Sequence, residues 1–175
     1  LAGSSFYQIL NKVGKETPTI ADSAYFAKAF ETVQELISNN LILAGHDVSS
    51  GGIITALLEM CFPSQSVGLS VKESRLGETD LVKALFAENP GILIQVANDH
   101  QVEDLLAKAD IDFVELAEVT LDGKVSLEAQ TLDVAELRDL WFKSSYLLDR
   151  KQSGEKLAKD RFDNYKNQAL SYDFA

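Results

Sequence analysis

Residues 39 to 62 read NNLILAGHDVSSGGIITALLEMCF, and this stretch decides the fold. Leu41 to Gly45 is an apolar run with the length of a buried strand. Ile53 to Phe62 is apolar almost all the way round and is stopped by Pro63, the pattern of a buried helix. Between them lie a charged pair, His46 and Asp47, and a Ser/Gly turn, Ser49 to Gly52. A buried strand, a polar turn and a buried helix make the repeating unit of α/β domains. In such domains ligands gather where a strand ends and a helix begins.

The pattern continues outward on both sides. Towards the N-terminus, Ser4 to Val13 reads as a short helix ending near Gly14, and KETPTIADS is a connector. Ser23 to Ser38 is a helix closed by Asn39-Asn40; Phe26, Phe30, Val33 and Ile37 recur at helical spacing and predict one buried stripe. Towards the C-terminus, VGLSVK reads as a strand, Thr79 to Ala87 as a helix and GILIQVA as a strand. Val102, Leu105, Leu106 and Ala109 mark an amphipathic helix capped by Asn98 or Asp99. DFVELAEVTL reads as a longer strand, and Asp122-Gly123 between VTL and KVSL is a two-residue hairpin signal. The expectation for residues 1–132 is an α/β (α+β) sandwich, a mixed sheet of about five strands flanked by helices. From Asp133 the chain is helical in propensity, dense in charge, broken at Gly154 and without a clean apolar stripe. Residues 133–175, which end in LSYDFA, therefore read as a helical linker or tail docked on something else.

Composition narrows the function. Of 175 residues, 46% are apolar and 25% charged, an ordinary globular balance. No apolar run approaches the roughly 18 residues of a membrane span. The opening LAGSSFYQIL has neither a basic start nor a Met, which suggests a processed chain or an excised fragment. The net charge of −11 repels nucleic acid and anionic membranes, so neither is expected as a partner. One cysteine, Cys61, rules out a disulfide within the chain and fits a cytoplasmic setting.

The candidate site is the turn itself. A helix start presents unpaired N–H groups and a partial positive charge; glycines let a phosphate approach the backbone, and serine hydroxyls add donors. His46, Asp47, Ser49, Ser50, Gly51 and Gly52 thus have the chemistry of an anion cradle for a phosphorylated small molecule. His46 would donate to a phosphate or to developing negative charge. Asp47 would hold a backbone N–H, orient His46 or bind a phosphate-bridging magnesium ion. The structural alternative stays open: the serines only cap the helix, the glycines only allow close packing, and His46 and Asp47 only pair with each other. A second turn, Ala2 to Ser5, opens the first helix with similar but weaker chemistry. Cys61 reads as core packing, Glu59 as a partly exposed carboxylate, and His100 as solvated. No Cys/His spacing suits zinc, no metal ligands are assigned, and two histidines support no Ser/His/Asp triad.

GHDVSSGGIITALLEMCF resembles the HDVSDGG–LAEMAF signature of aminoimidazole-ribonucleotide-synthetase-like C-terminal domains. The segment from WFKSSYLL to ALSYDF, together with LAGSSFYQILNKVG, is similar to the corresponding parts of the phosphoribosylformylglycinamidine synthase family. That resemblance implies the C-terminal domain of the second synthetase unit, followed by a linker toward a glutaminase domain. The family's reaction takes formylglycinamide ribonucleotide, glutamine and ATP to formylglycinamidine ribonucleotide, glutamate, ADP and phosphate in purine biosynthesis. ATP, with Mg2+, activates the amide oxygen, and ammonia from glutamine displaces it. The resemblance further implies that His46 to Gly52 face the ligand, that the partners are the remaining synthetase and glutaminase domains, and that the chain is inactive alone. Most nucleotide-binding glycines and metal carboxylates of the family, and the glutaminase cysteine, lie outside this chain; Cys61 does not replace the latter. Ser50 stands where the family usually has Asp, and Ala2 where it usually has Gly. An apolar face left bare by missing domains would favour a homodimer. Two rival readings are another superfamily member, of selenophosphate synthetase or hydrogenase maturation type, and a non-catalytic metabolite-binding α/β module.

Overall fold

The computed structural model describes residues 1–64, 66–97 and 99–167. Its first helix, α1 (Ser5–Ile9), is capped by the Ser4 side chain, which accepts from the Tyr7 N–H. It is shorter than Ser4 to Val13. Asn11 takes a positive φ, and Gly3 N–H bonds the Val13 carbonyl, so residues 10–14 fold back onto the Ala2–Ser4 turn. Helix α2 (Ser23–Ser38) matches its expected limits. Asp22 Oδ1 accepts from the N–H groups of Ala24 and Tyr25, and Asn40 at φ 55° closes the other end.

Strand β1 (Ile42–Asp47) follows, then α3 (Gly52–Cys61), β2 (Gly68–Val71), α4 (Leu81–Phe86), β3 (Ile92–Val96) and α5 (Asp99–Lys108). Asn98, one of the two expected caps of α5, lies outside the described residues. The rest is β4 (Ala117–Thr120), β5 (Lys124–Ser126), β6 (Thr131–Asp133), α6 (Val134–Ser153) and α7 (Glu155–Asn164). Gly154, at φ 83°, separates the last two helices. LSYDFA lies outside the described residues.

The strands form mixed sheets flanked by helices, as expected for an α/β sandwich, divided among the described residues into two. One is the antiparallel pair β1–β3; the other has the order β4-β2-β5-β6. Each sheet has its own core. Leu36 of α2 and Val102 and Leu106 of α5 cover β1–β3. Ile54, Leu57 and Cys61 of α3 pack on Leu69, Val71 and Val125 of the larger sheet. Helix α3 lies against β1, β2, α4 and α6, which is why it is apolar nearly all round.

Three further expectations change. The stripe on α2 is not buried as a unit: Val33 is 8% exposed, but Phe26, Phe30 and Ile37 are 44%, 58% and 50% exposed. The face that packs inward carries Thr32, Val33 and Leu36 instead. Asp122-Gly123 does turn the chain, but it makes no hairpin. Strands β4 and β5 flank β2 on opposite edges, antiparallel and parallel to it. The turn crosses over the start of β2 at Gly68, where a Cβ would lie 2.2 Å from the Lys124 carbonyl oxygen, so only a glycine admits the crossing. DFVELAEVTL is extended strand only at Ala117–Thr120, because β2 offers four residues for pairing.

The polar C-terminal helices fold on each other. Arg161 grips Asp149 through Nε and Nη2 at 2.8 and 2.7 Å, and the rings of Tyr146 and Phe162 stack at 4.8 Å. The first turns of α6 dock on the end of α3. There the buried Arg138 donates from Nη1 to the Phe62 carbonyl at 2.9 Å.

Candidate functional site

The fold places the six candidate residues on one β1–loop–α3 connection. His46 and Asp47 end β1, and their backbones pair with Leu93 and Ile92 of β3. Val48 N–H bonds the Gly91 carbonyl at 2.9 Å, which pins the loop at its entry. Gly51 and Gly52 both take left-handed φ, 88° and 74°. A Cβ on Gly52 would meet the Leu85 carbonyl oxygen at 2.5 Å, so this glycine lets α3 start against the end of α4.

The N–H groups of both glycines are engaged within the protein. Gly52 N–H bonds the Ser49 carbonyl at 3.0 Å. Gly51 N–H donates at 2.8 Å to Glu88 Oε1, and the same oxygen accepts from Ser5 N–H at 2.8 Å. Glu88 therefore ties together the two turns singled out in the sequence, Ala2–Ser5 and Ser49–Gly52. Burial alone would raise its carboxyl, but the N–H bonds from Gly51 and Ser5 and the Ser5 hydroxyl outweigh it and hold the carboxyl below the usual glutamate range. Stacking of Phe6 on Phe86 at 4.7 Å keeps α1 beside α4. Sequence reasoning missed Glu88. It sits in an unremarkable AENPG loop, and its donors are 37 and 83 residues away.

The loop's hydroxyls are different. Ser49 and Ser50 are exposed, and neither side chain has a hydrogen-bond partner among the described residues. They stand at the positive end of the ten-residue α3. Donors that remain open for an anion are thus the serines, while the glycines shape the loop.

His46 pairs with Glu59 more closely than with Asp47. Its Nε2 lies 3.1 Å from Glu59 Oε2, against 3.9 Å from Nδ1 to Asp47 Oδ1. Nδ1 is 2.7 Å from the Asp47 carbonyl oxygen. Both ring nitrogens face acceptors, so whichever nitrogen carries a proton has a partner within the protein. The other Glu59 oxygen accepts from Trp141 Nε1 at 3.0 Å. The sequence did hold a signal for this link: Glu59 is the one charge in an otherwise apolar helix. Asp47 points outward, with its side chain 79% exposed.

The expectations for Cys61 and His100 hold. Cys61 is buried, and burial pushes its thiol up to about 11, the state of a core residue and not of a nucleophile. The His100 side chain is 90% exposed. No group of three or more His, Cys, Asp or Glu suited to a metal occurs among the described residues. No helix among them is long and apolar enough to cross a membrane.

Residues 1–130 match the family described as AIR synthase related protein, C-terminal domain. The chain is similar to human phosphoribosylformylglycinamidine synthase, with 33% identity over 166 residues covering 87% of this chain and 12% of the human protein. It is 31% identical over 163 residues to a probable chloroplastic/mitochondrial phosphoribosylformylglycinamidine synthase of Arabidopsis thaliana, covering 87% of this chain and 11% of that protein. Among solved structures, the T. maritima PurL complexed with AMPPCP has a TM-score of 0.58 at 17% identity, covering 71% of this chain and 24% of that one. The T. maritima PurL complexed with FGAR has a TM-score of 0.53 at 19% identity, covering 63% and 20%. These structures share the fold. The chain spans about an eighth of the length of the relatives it matches.

Proposed function

The chain belongs to the family of AIR synthase related protein C-terminal domains, and from that membership we propose that it is the ligand-facing C-terminal domain of a phosphoribosylformylglycinamidine synthase. The whole enzyme would convert formylglycinamide ribonucleotide, glutamine and ATP to formylglycinamidine ribonucleotide, glutamate, ADP and phosphate, in the cytoplasm. Residues 1–132 would be the synthetase-like domain, and 133–175 the linker toward a glutaminase domain.

One observation carries the reading. The β1–α3 loop presents two exposed hydroxyls, Ser49 and Ser50, without hydrogen-bond partners among the described residues, at a helix start braced from behind by Glu88. Such a rigid, donor-lined turn suits the phosphate of a nucleotide or of the ribonucleotide substrate. His46 would add a donor from the end of β1, Asp47 would border the site, and Gly51 and Gly52, whose N–H groups are engaged within the protein, would set the shape of the turn that presents the serines. ATP, when bound, supplies the activation of the amide oxygen; this chain's residues bind and orient. Among the described residues no three His, Cys, Asp or Glu gather for a metal, and Asp47 is the single carboxylate on the loop, so Mg2+ would rest mainly on the ATP phosphates and on other domains, with Asp47 as the one ligand this loop would offer.

Partner domains have a surface to meet. Phe26, Phe30 and Ile37 of α2 and Leu43 of β1 are exposed, beside an open cleft of about 480 Å3 lined by Val33, Ile37, Leu43 and Ile92. The isolated chain would use this face to self-associate, and a mass that stays monomeric at every concentration argues against it. The functional test is turnover. Residues 1–175 joined to the upstream synthetase units should form formylglycinamidine ribonucleotide from the ribonucleotide, ATP and ammonia, and should lose most of that activity as the Ser49→Ala/Ser50→Ala double variant. Turnover by the 175-residue chain alone, or full activity of the double variant, overturns the reading.

A further inference from the structure

We propose that Glu59 is a positioning residue for His46, and that through the same carboxylate helix α6 registers the state of the 46–52 loop. The second half of this statement rests on the loop being an anion site. Three elements meet at Glu59. Its Oε2 faces His46 Nε2 at the end of β1, and its Oε1 holds the Trp141 indole of α6, at 3.1 and 3.0 Å. Nδ1 lies 2.7 Å from the Asp47 carbonyl oxygen, so acceptors flank both ring nitrogens and limit how far the imidazole can swing.

Trp141 is held as well. Its ring lies 5.9 Å from that of Phe62, and Arg138, one turn earlier on α6, bonds the Phe62 carbonyl. The end of α3 and the start of α6 therefore form one body, and Glu59 is the polar bridge from that body to the loop. The side chains of His46 and Glu59 are 29% and 25% exposed, so a ligand at the loop mouth reaches the ring edge without unfolding anything. An anion that draws the Nε2 proton of His46 takes it from Glu59. The carboxylate then leans on its other donor, the indole. That exchange converts an event at the loop into a change at α6, the helix that leads out of the domain.

The chain has one tryptophan, so the Trp141 indole N–H resonance and emission report on this bridge without interference. The experiment uses the 175-residue chain as wild type, His46→Gln, Glu59→Gln and the double variant. Without ligand, His46→Gln should move the indole resonance in the Glu59 background and leave it still in the Glu59→Gln background, and Glu59→Gln should move the His46 ring resonances. Core amides such as Leu69 and Val125 report that each variant is folded, and Glu59→Asp, which keeps the charge but shortens the reach, substitutes if Glu59→Gln is not. An indole resonance indifferent to His46→Gln overturns the positioning role. Inorganic phosphate is then added to the wild type. The indole and the amides of Ser49 to Ile54 should titrate with one midpoint. Loop amides that titrate while the indole stays silent overturn the sensing role and leave the loop reading intact. Silence of both removes the loop reading, and the sensing role with it.

Discussion

Replacing Glu88 with Ala cuts the tie between the two turns that open α1 and α3. The carboxylate oxygen accepts two backbone N–H bonds at 2.8 Å, and the variant leaves both donors without it. A hydrogen bond to a charged acceptor contributes about 1.5–3 kcal/mol net. Because the two bonds share one oxygen of a half-buried group that water can replace, the expected loss is about 2–3 kcal/mol, well below the sum. Glu88→Gln keeps an oxygen for both donors and loses only the charge, so it should cost about 1 kcal/mol. Urea unfolding reads the difference. With a slope of about 2 kcal/mol per molar, Glu88→Ala should lower the midpoint by about 1 M, and Glu88→Gln by about half that. The effect is also tied to pH. Burial works against the Glu88 charge, but the bonds from Gly51 and Ser5 prevail and lower its carboxyl in the folded state. The unfolded chain therefore takes up the proton first as pH falls. The Glu88 contribution is complete above the ordinary glutamate range and is lost as pH drops through the lower folded value, so wild type and Glu88→Ala should converge in acid. Equal midpoints at pH 7, or a gap that acid does not narrow, would refute the clamp.

The other predictions are simpler. Gly68→Ala should lower the urea midpoint, at a cost of about 1–3 kcal/mol, because its Cβ would lie 2.2 Å from the Lys124 carbonyl and displace the β4–β5 crossing; a wild-type midpoint would mean that the crossing has slack. Cys61 should resist iodoacetamide in the folded chain at pH 8 and label only when urea unfolds it, since burial pushes its thiol up to about 11. Rapid native labelling, followed by mass spectrometry, would contradict its burial.

Local signals sufficed for the elements. The limits of α2 follow from a capping Asp22, helical spacing and an Asn40 able to take positive φ, all within the helix's own neighbourhood. The break at Gly154, the burial of Cys61 and the strand–turn–helix around His46 are local in the same sense. Periodicity failed where exposure depends on distant chain: the stripe on α2 has the right spacing, but β1–β3 and α5 cover only the Leu36 side. Asp122-Gly123 encodes a turn and says nothing of which strand lies between its arms; Gly68 decides that, 54 residues earlier. The site divides in the same way. Ser49, Ser50, Gly51 and Gly52 were legible as a donor-rich helix start, because the helix terminus and the small side chains are consecutive in the chain. Glu88 behind them, and the bridge from His46 through Glu59 to Trp141, exist only after folding. Hydrogen bonds at about 3 Å join residues 13 to 83 positions apart, and no periodicity in one dimension records such distances.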